Sequence, residues 1–188
     1  MKKTTTTLLF IFISIMAFAQ YNYNASEAFP YGQANPNAPE QVKDFDALIG
    51  KCNCKSTTRK QDGTWNKSED IIWTWKYILN GNAVQDETLK PDGSHSGSIR
   101  QFIADSSKWY VHWYSSKTPS AKFPVWEGNK KDDKIILYKA QKAPNGTDGF
   151  FRLTFYDISK LGFKWIGEWV DKTEKIIYPT WKIECTKN

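Results

Sequence analysis

Residues 71–79 read IIWTWKYIL, and their regular alternation of side chains decides the fold of this chain. Apolar residues occupy every second position, which places them on one face of a β-strand. They are Ile71, Trp73, Trp75, Tyr77 and Leu79. A one-residue shift in pairing would expose the whole set, so the register of this strand is well specified. We interpret this face as the interior of a β-protein.

Four later segments repeat the alternation. Their apolar faces carry Trp109, Val111 and Trp113; Phe151, Leu153 and Phe155; Phe163, Trp165, Gly167 and Trp169; and Ile177, Trp181, Ile183 and Cys185. About ten such strands run between residues 52 and 185, separated by short polar turns and by no helix. This spacing is typical of an up-and-down barrel or a sandwich. We predict an all-β domain with a single antiparallel up-and-down barrel of about ten strands.

The first residues indicate export. Lys2 and Lys3 precede an apolar run from Leu8 to Phe18, and the small residues Ala17 and Ala19 flank Phe18. This order is typical of a secretory signal peptide, which we predict at residues 1–19. The apolar run is shorter than the roughly 20 residues that a membrane-spanning helix needs. We therefore expect a periplasmic or secreted protein without a membrane span.

Two further segments complete the predicted organisation. Residues 20–38 are rich in Asn, Ala, Tyr and Pro, which favours an extended N-terminal arm. Residues 39–188 form the predicted barrel domain. It begins with a short helix, because Val42, Phe45 and Ile49 recur at helical spacing between Pro39 and Gly50. This helix is well placed to close one end of a barrel.

The distribution of charge argues against nucleic acid as a partner. The formal net charge of the full chain is +6, and Lys2 and Lys3 account for two of these charges. The lysines are spread along the chain, and the arginines are only Arg59, Arg100 and Arg152. Nucleic-acid-binding domains concentrate Lys and Arg on one face, and no such stripe is present.

The chain has three cysteines: Cys52, Cys54 and Cys185. The first and last strands of an antiparallel barrel are neighbours, so all three are disulfide candidates in an exported protein. Cys52–Cys185 is slightly favoured, because Cys52 lies nearer the start of its strand; three free buried thiols are the alternative. No histidine lies near enough in sequence to complete a metal-ligand set with these cysteines, so we predict no metal site.

Several motifs resemble the lipocalin-like family called domain of unknown function 1579. They are the short helix before Leu48-Ile49-Gly50, the segment Val125-Trp126-Glu127-Gly128, the strand FKWIGEWVD at residues 163–171 and the late PTWKI at residues 179–183. The resemblance covers roughly residues 45–186. It implies a closed calycin-like or lipocalin-like barrel and no established activity. One departure is Gly50-Lys51-Cys52, where lipocalin-like proteins often carry Gly-x-Trp.

Nine tryptophans in 188 residues predict a cavity with aromatic walls, although core packing explains part of the number. Gly167 leaves room among large rings on the predicted inner face. We therefore predict that the protein binds a small apolar or amphipathic ligand, without a cofactor. The predicted ligand-binding residues are Trp75, Trp113, Phe155, Trp165 and Trp169. The oligomeric state is left open.

The first alternative is a surface interaction module. In this interpretation exposed rings stack on a sugar or another partner, and the candidate rings are Tyr110, Tyr114 and Trp126.

The second alternative, an enzyme, requires the faces of the barrel to be inverted. His112, Arg152 and Glu168 would then converge inside it. The chain has no HExxH motif, phosphate-binding loop or dinucleotide-binding fingerprint, so a non-enzymatic role is favoured and no catalytic residue is predicted.

Overall fold

The computed structural model describes residues 22–187; the predicted signal peptide at residues 1–19 lies outside the described residues. The strands are β1 (Gly50–Thr58), β2 (Glu69–Ile78), β3 (Ala83–Leu89), β4 (His95–Ile103), β5 (Lys108–Ser115), β6 (Val125–Lys131), β7 (Lys134–Ala140), β8 (Gly149–Ser159), β9 (Gly162–Asp171) and β10 (Ile177–Lys187). Each strand pairs antiparallel with its neighbour in sequence, and β1 pairs with β10. The predicted all-β antiparallel up-and-down barrel is confirmed.

A 3-10 helix at Glu40–Leu48 closes one end of the barrel. Its apolar side chains Val42, Phe45 and Leu48 are buried. The ring of Phe45 stacks on Trp75 with centroids 5.7 Å apart and meets Trp109 edge-on at 4.9 Å. Aromatic pairs in such geometries contribute about 0.5–1.5 kcal/mol beyond the area that they bury. The end of the barrel opposite this helix is called the mouth below.

The described part of the N-terminal arm, residues 22–38, packs along the turn between β2 and β3. The backbone N–H of Tyr77 donates to the carbonyl of Tyr31 at 2.8 Å, and the backbone N–H of Asn35 donates to the carbonyl of Gly81 at 3.0 Å. Gly81 has a φ of 78°, and a Cβ there would lie 2.4 Å from the Gln33 carbonyl oxygen. The close approach of the arm therefore requires glycine at this position.

The same turn corrects one sequence-based expectation. Leu79 was assigned to the interior face, but it lies beyond the end of β2 and is 56% exposed. Its φ of 52° shows that the chain has already left the extended conformation. The alternation of β2 therefore ends at Tyr77, whose side chain is the last buried one of the series.

The inner face of the barrel follows the predicted alternation except at Leu79 and at Ile177. Ile177 was expected inside, but the β-bulge between Pro179 and Trp181 shifts the register of β10 and leaves Ile177 48% exposed. In β5, Trp109 and Val111 are almost fully buried, and in β2 the same holds for Ile71, Trp73 and Trp75. The registers align these inner positions from strand to strand around the barrel, so the core is continuous.

A disulfide joins β1 to β10 between Cys54 and Cys185, whose Cα atoms are 4.1 Å apart. The slight preference for Cys52–Cys185 was wrong. In the observed register Cys54 lies directly opposite Cys185, whereas Cys52 lies opposite Lys187. Cys52 remains a free, buried thiol, and burial raises its pKa.

We expect Cys52 to resist alkylation in the native protein. Thiolate is the reactive form, and burial both hides the sulfur and favours the thiol. Iodoacetamide at neutral pH should leave the folded protein unmodified and add one label in urea without reductant, as measured by intact mass. Rapid labelling of the folded protein would contradict this assignment.

Candidate functional site

The barrel interior contains a cavity of about 60 Å³ with two chemically different walls. One wall is apolar and consists of the indoles of Trp73, Trp113, Trp165 and Trp181 with Leu153 and Ile183. The other is polar and consists of Thr88, Ser96, Ser98, Asp86 and Arg100. All five polar residues are buried. A space of this size holds small molecules of a few heavy atoms or a few waters.

The polar wall comes from the hairpin of β3 and β4. The register places Thr88 opposite Ser96 and Asp86 opposite Ser98, with all four side chains on the inner face. The hydroxyl of Thr88 donates to the Ser96 carbonyl at 2.9 Å. The short turn between the strands fixes this register, because a slip of one residue would turn the whole wall outward.

The Asp86–Arg100 ion pair lies at the end of the polar wall nearer the 3-10 helix. The Nη1 of Arg100 donates to Oδ1 of Asp86, and both side chains are almost completely buried. The indole Nε1 of Trp73 donates to the other carboxylate oxygen at 2.6 Å. The guanidinium carbon of Arg100 also lies 4.3 Å from the centroid of the Trp75 ring. The two charges therefore compensate each other, and the indoles of Trp73 and Trp75 contact the carboxylate and the guanidinium respectively.

Two buried N–H donors near this pair lack a partner within residues 22–187. They are Nε of Arg100 and Nε1 of Trp75. A buried donor without an acceptor is destabilising by about 1–3 kcal/mol, so native proteins rarely keep one without a reason. Arg100 lines the cavity, but its Nε has almost no accessible surface and does not face the open space.

Trp113 lines the cavity and also contributes to a larger pocket under the β5–β6 loop. This outer pocket measures about 480 Å³ and includes Phe123 and Pro124. Among the described contacts, the Trp113 indole has neither a hydrogen-bond partner nor a paired ring; the indoles of Trp73 and Trp181 each donate a hydrogen bond. Side-chain contacts therefore restrain Trp113 less than they restrain these two.

A groove of about 660 Å³ lies at the mouth of the barrel. It combines the rings of Trp169 and Tyr178 with Ile176 and with the cationic side chains of Arg59 and Lys60. These residues come from the end of β1, the end of β9 and the start of β10, which meet at the mouth in an antiparallel meander. The groove is open to solvent, since Ile176 is 60% exposed.

The structure distributes the predicted ligand-binding residues over three places. Trp113 and Trp165 line the interior cavity, and Trp169 lies in the groove at the mouth. Trp75 and Phe155 are fully buried against Phe45, beside the 3-10 helix. The five residues share the inner face but do not form one site.

The residues of the enzyme alternative lie on the outer face of the barrel. Arg152 and Glu168 are cross-strand neighbours, and Nη2 of Arg152 lies 2.7 Å from Oε2 of Glu168. Arg152 also forms an ion pair with Glu174. His112 alternates with the buried Val111, which places it on the opposite face from the cavity. The three side chains therefore do not converge inside the barrel.

One of the three rings expected to be exposed in the surface-interaction alternative, Trp126, was wrongly predicted. Trp126 is buried, with 9% of its surface exposed, and lies opposite Val111 on the inner face. Its indole donates to the carbonyl of Phe151 at 3.1 Å. The turn motif that follows it in sequence belongs to β6 itself, so the alternation of that strand would have placed Trp126 inside.

Sequence reasoning missed the polar wall. β3 and β4 have no apolar face to mark their interior side, so residues such as Asp86 and Ser98 resembled solvent-facing positions. The available signal was the turn at residues 91–93: pairing the strands outward from it places Thr88 beside Ser96 and Asp86 beside Ser98.

Within residues 22–187, no group of three His, Cys, Asp or Glu side chains is arranged to hold a metal ion. No helix in the same range is both long and apolar enough to cross a membrane.

Comparison with known proteins gives the fold alone. Neither a family model nor a curated protein matches the chain. Among solved structures, the crystal structure of Rv2717c from M. tuberculosis is similar with a TM-score of 0.51 and 8% sequence identity, covering 81% of this chain and 99% of that one. A protein of unknown function from the DUF3598 family of Nostoc punctiforme PCC 73102 covers 79% of this chain and 100% of its own, with 7% identity and a TM-score of 0.26.

Proposed function

We propose that this protein binds a small apolar or amphipathic ligand inside the barrel, against Trp113 and Trp165. The observation that carries this proposal is the two-sided cavity, with four indoles on one wall and five polar side chains on the other. Ligand sites combine predominantly apolar walls with a few placed polar groups, and this cavity has that composition.

The polar wall determines how the ligand lies. Asp86 and Arg100 neutralise each other, so the wall has no net charge to attract an ion. It offers hydroxyl groups, among them that of Ser98. A ligand with one neutral hydrogen-bonding group would direct that group to this wall and its apolar part to Trp113 and Trp165.

The volume of the cavity limits the size of the ligand. Sites for drug-sized molecules measure about 300–1,000 Å³, far above the interior space. Trp113 also contributes to the pocket of about 480 Å³ under the β5–β6 loop. We propose that its rotation joins the two spaces and admits larger ligands.

The cellular setting belongs to the same proposal. We propose that residues 1–19 are a signal peptide, that residues 39–188 form one lipocalin-like domain related to domain of unknown function 1579, and that the protein is periplasmic or secreted. The Cys54–Cys185 disulfide supports export, because such bonds persist in oxidising compartments.

1-Propanol, a neutral amphipathic alcohol of four heavy atoms, is small enough to test the interior site. Nitrogen-15 spectra of the indole N–H groups should show saturable shifts for Trp113 and Trp165, with little change for Trp65 on the outer surface. Ser98→Val fills the polar side of the cavity and should weaken binding about tenfold or more, equivalent to at least one lost hydrogen bond to a placed group.

Ser68→Val is the matched control, because Ser68 is exposed and outside the cavity. It should bind propanol as the unmodified protein does. Equal binding by Ser98→Val and Ser68→Val, or an absence of saturable shifts at Trp113 and Trp165, would overturn the proposal.

A further inference from the structure

We propose that the groove at the mouth is a second binding site, which takes a small amphipathic anion. The apolar body of such a ligand would lie on Trp169 and Tyr178, and its carboxylate or similar group would face Arg59 and Lys60. This site differs from the interior cavity in position, charge and size, and it does not depend on the proposed interior ligand.

The walls of the groove are held in place by the surrounding backbone. The indole of Trp169 donates to the Gln141 carbonyl at 2.9 Å, which fixes its ring between the β7–β8 loop and β9. The N–H of Ile176 donates to a carboxylate oxygen of Asp171 at 2.7 Å, and the backbone N–H of Asp171 donates to the carbonyl of Ile176 at 3.1 Å. A preformed groove loses less conformational entropy when a ligand binds.

Arg59 is positioned without being neutralised. Its Nε donates to the Gly63 carbonyl at 2.7 Å and its Nη1 to the Pro179 carbonyl at 3.3 Å. Its guanidinium carbon lies 4.4 Å from the centroid of the Tyr178 ring. Within residues 22–187 neither Arg59 nor Lys60 forms an ion pair, in contrast to Arg152, which contacts two glutamates.

The nearby acidic groups form no ion pair with these cations within residues 22–187. Asp62, on the same loop, accepts hydrogen bonds from the N–H and hydroxyl of Thr64. Asp171 is engaged in the same way by Thr173 and Ile176. Neither carboxylate contacts Arg59, so the guanidinium and the Lys60 ammonium remain the unpaired charges of the groove.

The size of the groove suits a small organic anion. Its volume of about 660 Å³ lies within the usual range for small-molecule sites. Exposed apolar side chains also cluster here, with Ile176 60% and Tyr178 41% exposed. A contiguous exposed apolar patch beside unpaired cations is typical of a site for ligands that carry both characters.

Two dyes with a common aromatic body test the proposal. 1-Anilinonaphthalene-8-sulfonate is anionic, and N-phenyl-1-naphthylamine lacks the sulfonate. We expect the anionic dye to bind more tightly and to shift the indole N–H signal of Trp169. Arg59→Gln should weaken the anionic dye about tenfold, as expected for one charge-assisted hydrogen bond, and leave the neutral dye unchanged.

Ile176→Asp and Ile176→Asn form a matched pair at an exposed position, so neither threatens the fold. The aspartate places a negative charge in the groove and should weaken the anionic dye at least about tenfold more than the asparagine does. Lys160→Gln, in the exposed β8–β9 turn, is the surface-charge control and should have no effect.

The result that would overturn this proposal is equal loss of both dyes in Arg59→Gln, or equal binding by Ile176→Asp and Ile176→Asn. Failure of the groove is distinguishable from failure of the interior site. Ser98→Val should not change binding of the anionic dye, and Ile176→Asp should not change the propanol-induced shifts of Trp113.

Discussion

Replacing Asp86 by alanine is expected to lower the free energy of unfolding by about 3–5 kcal/mol, the usual effect of removing one partner from a buried ion pair. Arg100 is only 3% exposed and would keep its positive charge without a counterion. Trp73 would also lose the acceptor for its indole N–H. Urea unfolding followed by circular dichroism measures the change, with a constant m-value indicating unchanged compactness.

A double substitution separates the effect of unpaired charge from the effect of lost volume. Asp86→Leu with Arg100→Met replaces both charged groups by apolar ones, which often restores or increases stability in buried pairs. We expect the double variant to be at least about 2 kcal/mol more stable than Asp86→Ala. If Asp86→Ala alone lowers stability by less than about 1 kcal/mol, the pair does not have the buried character described here.

Removing the Cys54–Cys185 bond is expected to cost about 5 kcal/mol of stability in the chain-entropy model. The two cysteines are 131 residues apart, so the bond restricts most of the unfolded chain. The Cys54→Ala, Cys185→Ala double variant, compared in urea with the unmodified oxidised protein, measures this contribution.

Cys52→Ala is the matched control for the disulfide prediction. It removes a buried sulfur but leaves the bond, so its effect should be limited to the small core change of one thiol. The single variant Cys54→Ala adds a second test. If it forms Cys52–Cys185 under oxidising conditions, peptide mass mapping will detect the new bond, and the β1–β10 register must then be able to shift. A loss of less than about 1 kcal/mol in the double variant would contradict the prediction.

The barrel could be predicted because its strands show their orientation in sequence. In β2 and β9, large rings alternate with polar residues, and burial of those rings allows one register. The neighbouring positions of β1 and β10 followed from the meander itself. The choice of Cys54 rather than Cys52 could not be predicted in this way. It depends on the register between β1 and β10, and that register is set jointly by all nine hairpins that lie between the two strands.

The site was predicted less completely for a related reason. Trp113 and Trp165 were found because they belong to apolar faces. Asp86 and Arg100 were missed because a buried ion pair shows no hydrophobic alternation; each residue compensates the other across two strands, and only the paired register reveals it. The position of Trp169 at the mouth rather than in the cavity depends on barrel length, which strand patterns define poorly.

The closure of β1 onto β10 also bears on association between molecules. A barrel has no free strand edges, but opening this one pair would create two edges at once, each able to pair with another chain. The bond between Cys54 and Cys185 crosses that same pair of strands, so they cannot separate at this point while the bond is intact. The disulfide therefore also limits strand exchange and edge-to-edge aggregation, and reduced protein should aggregate at lower denaturant concentrations than oxidised protein.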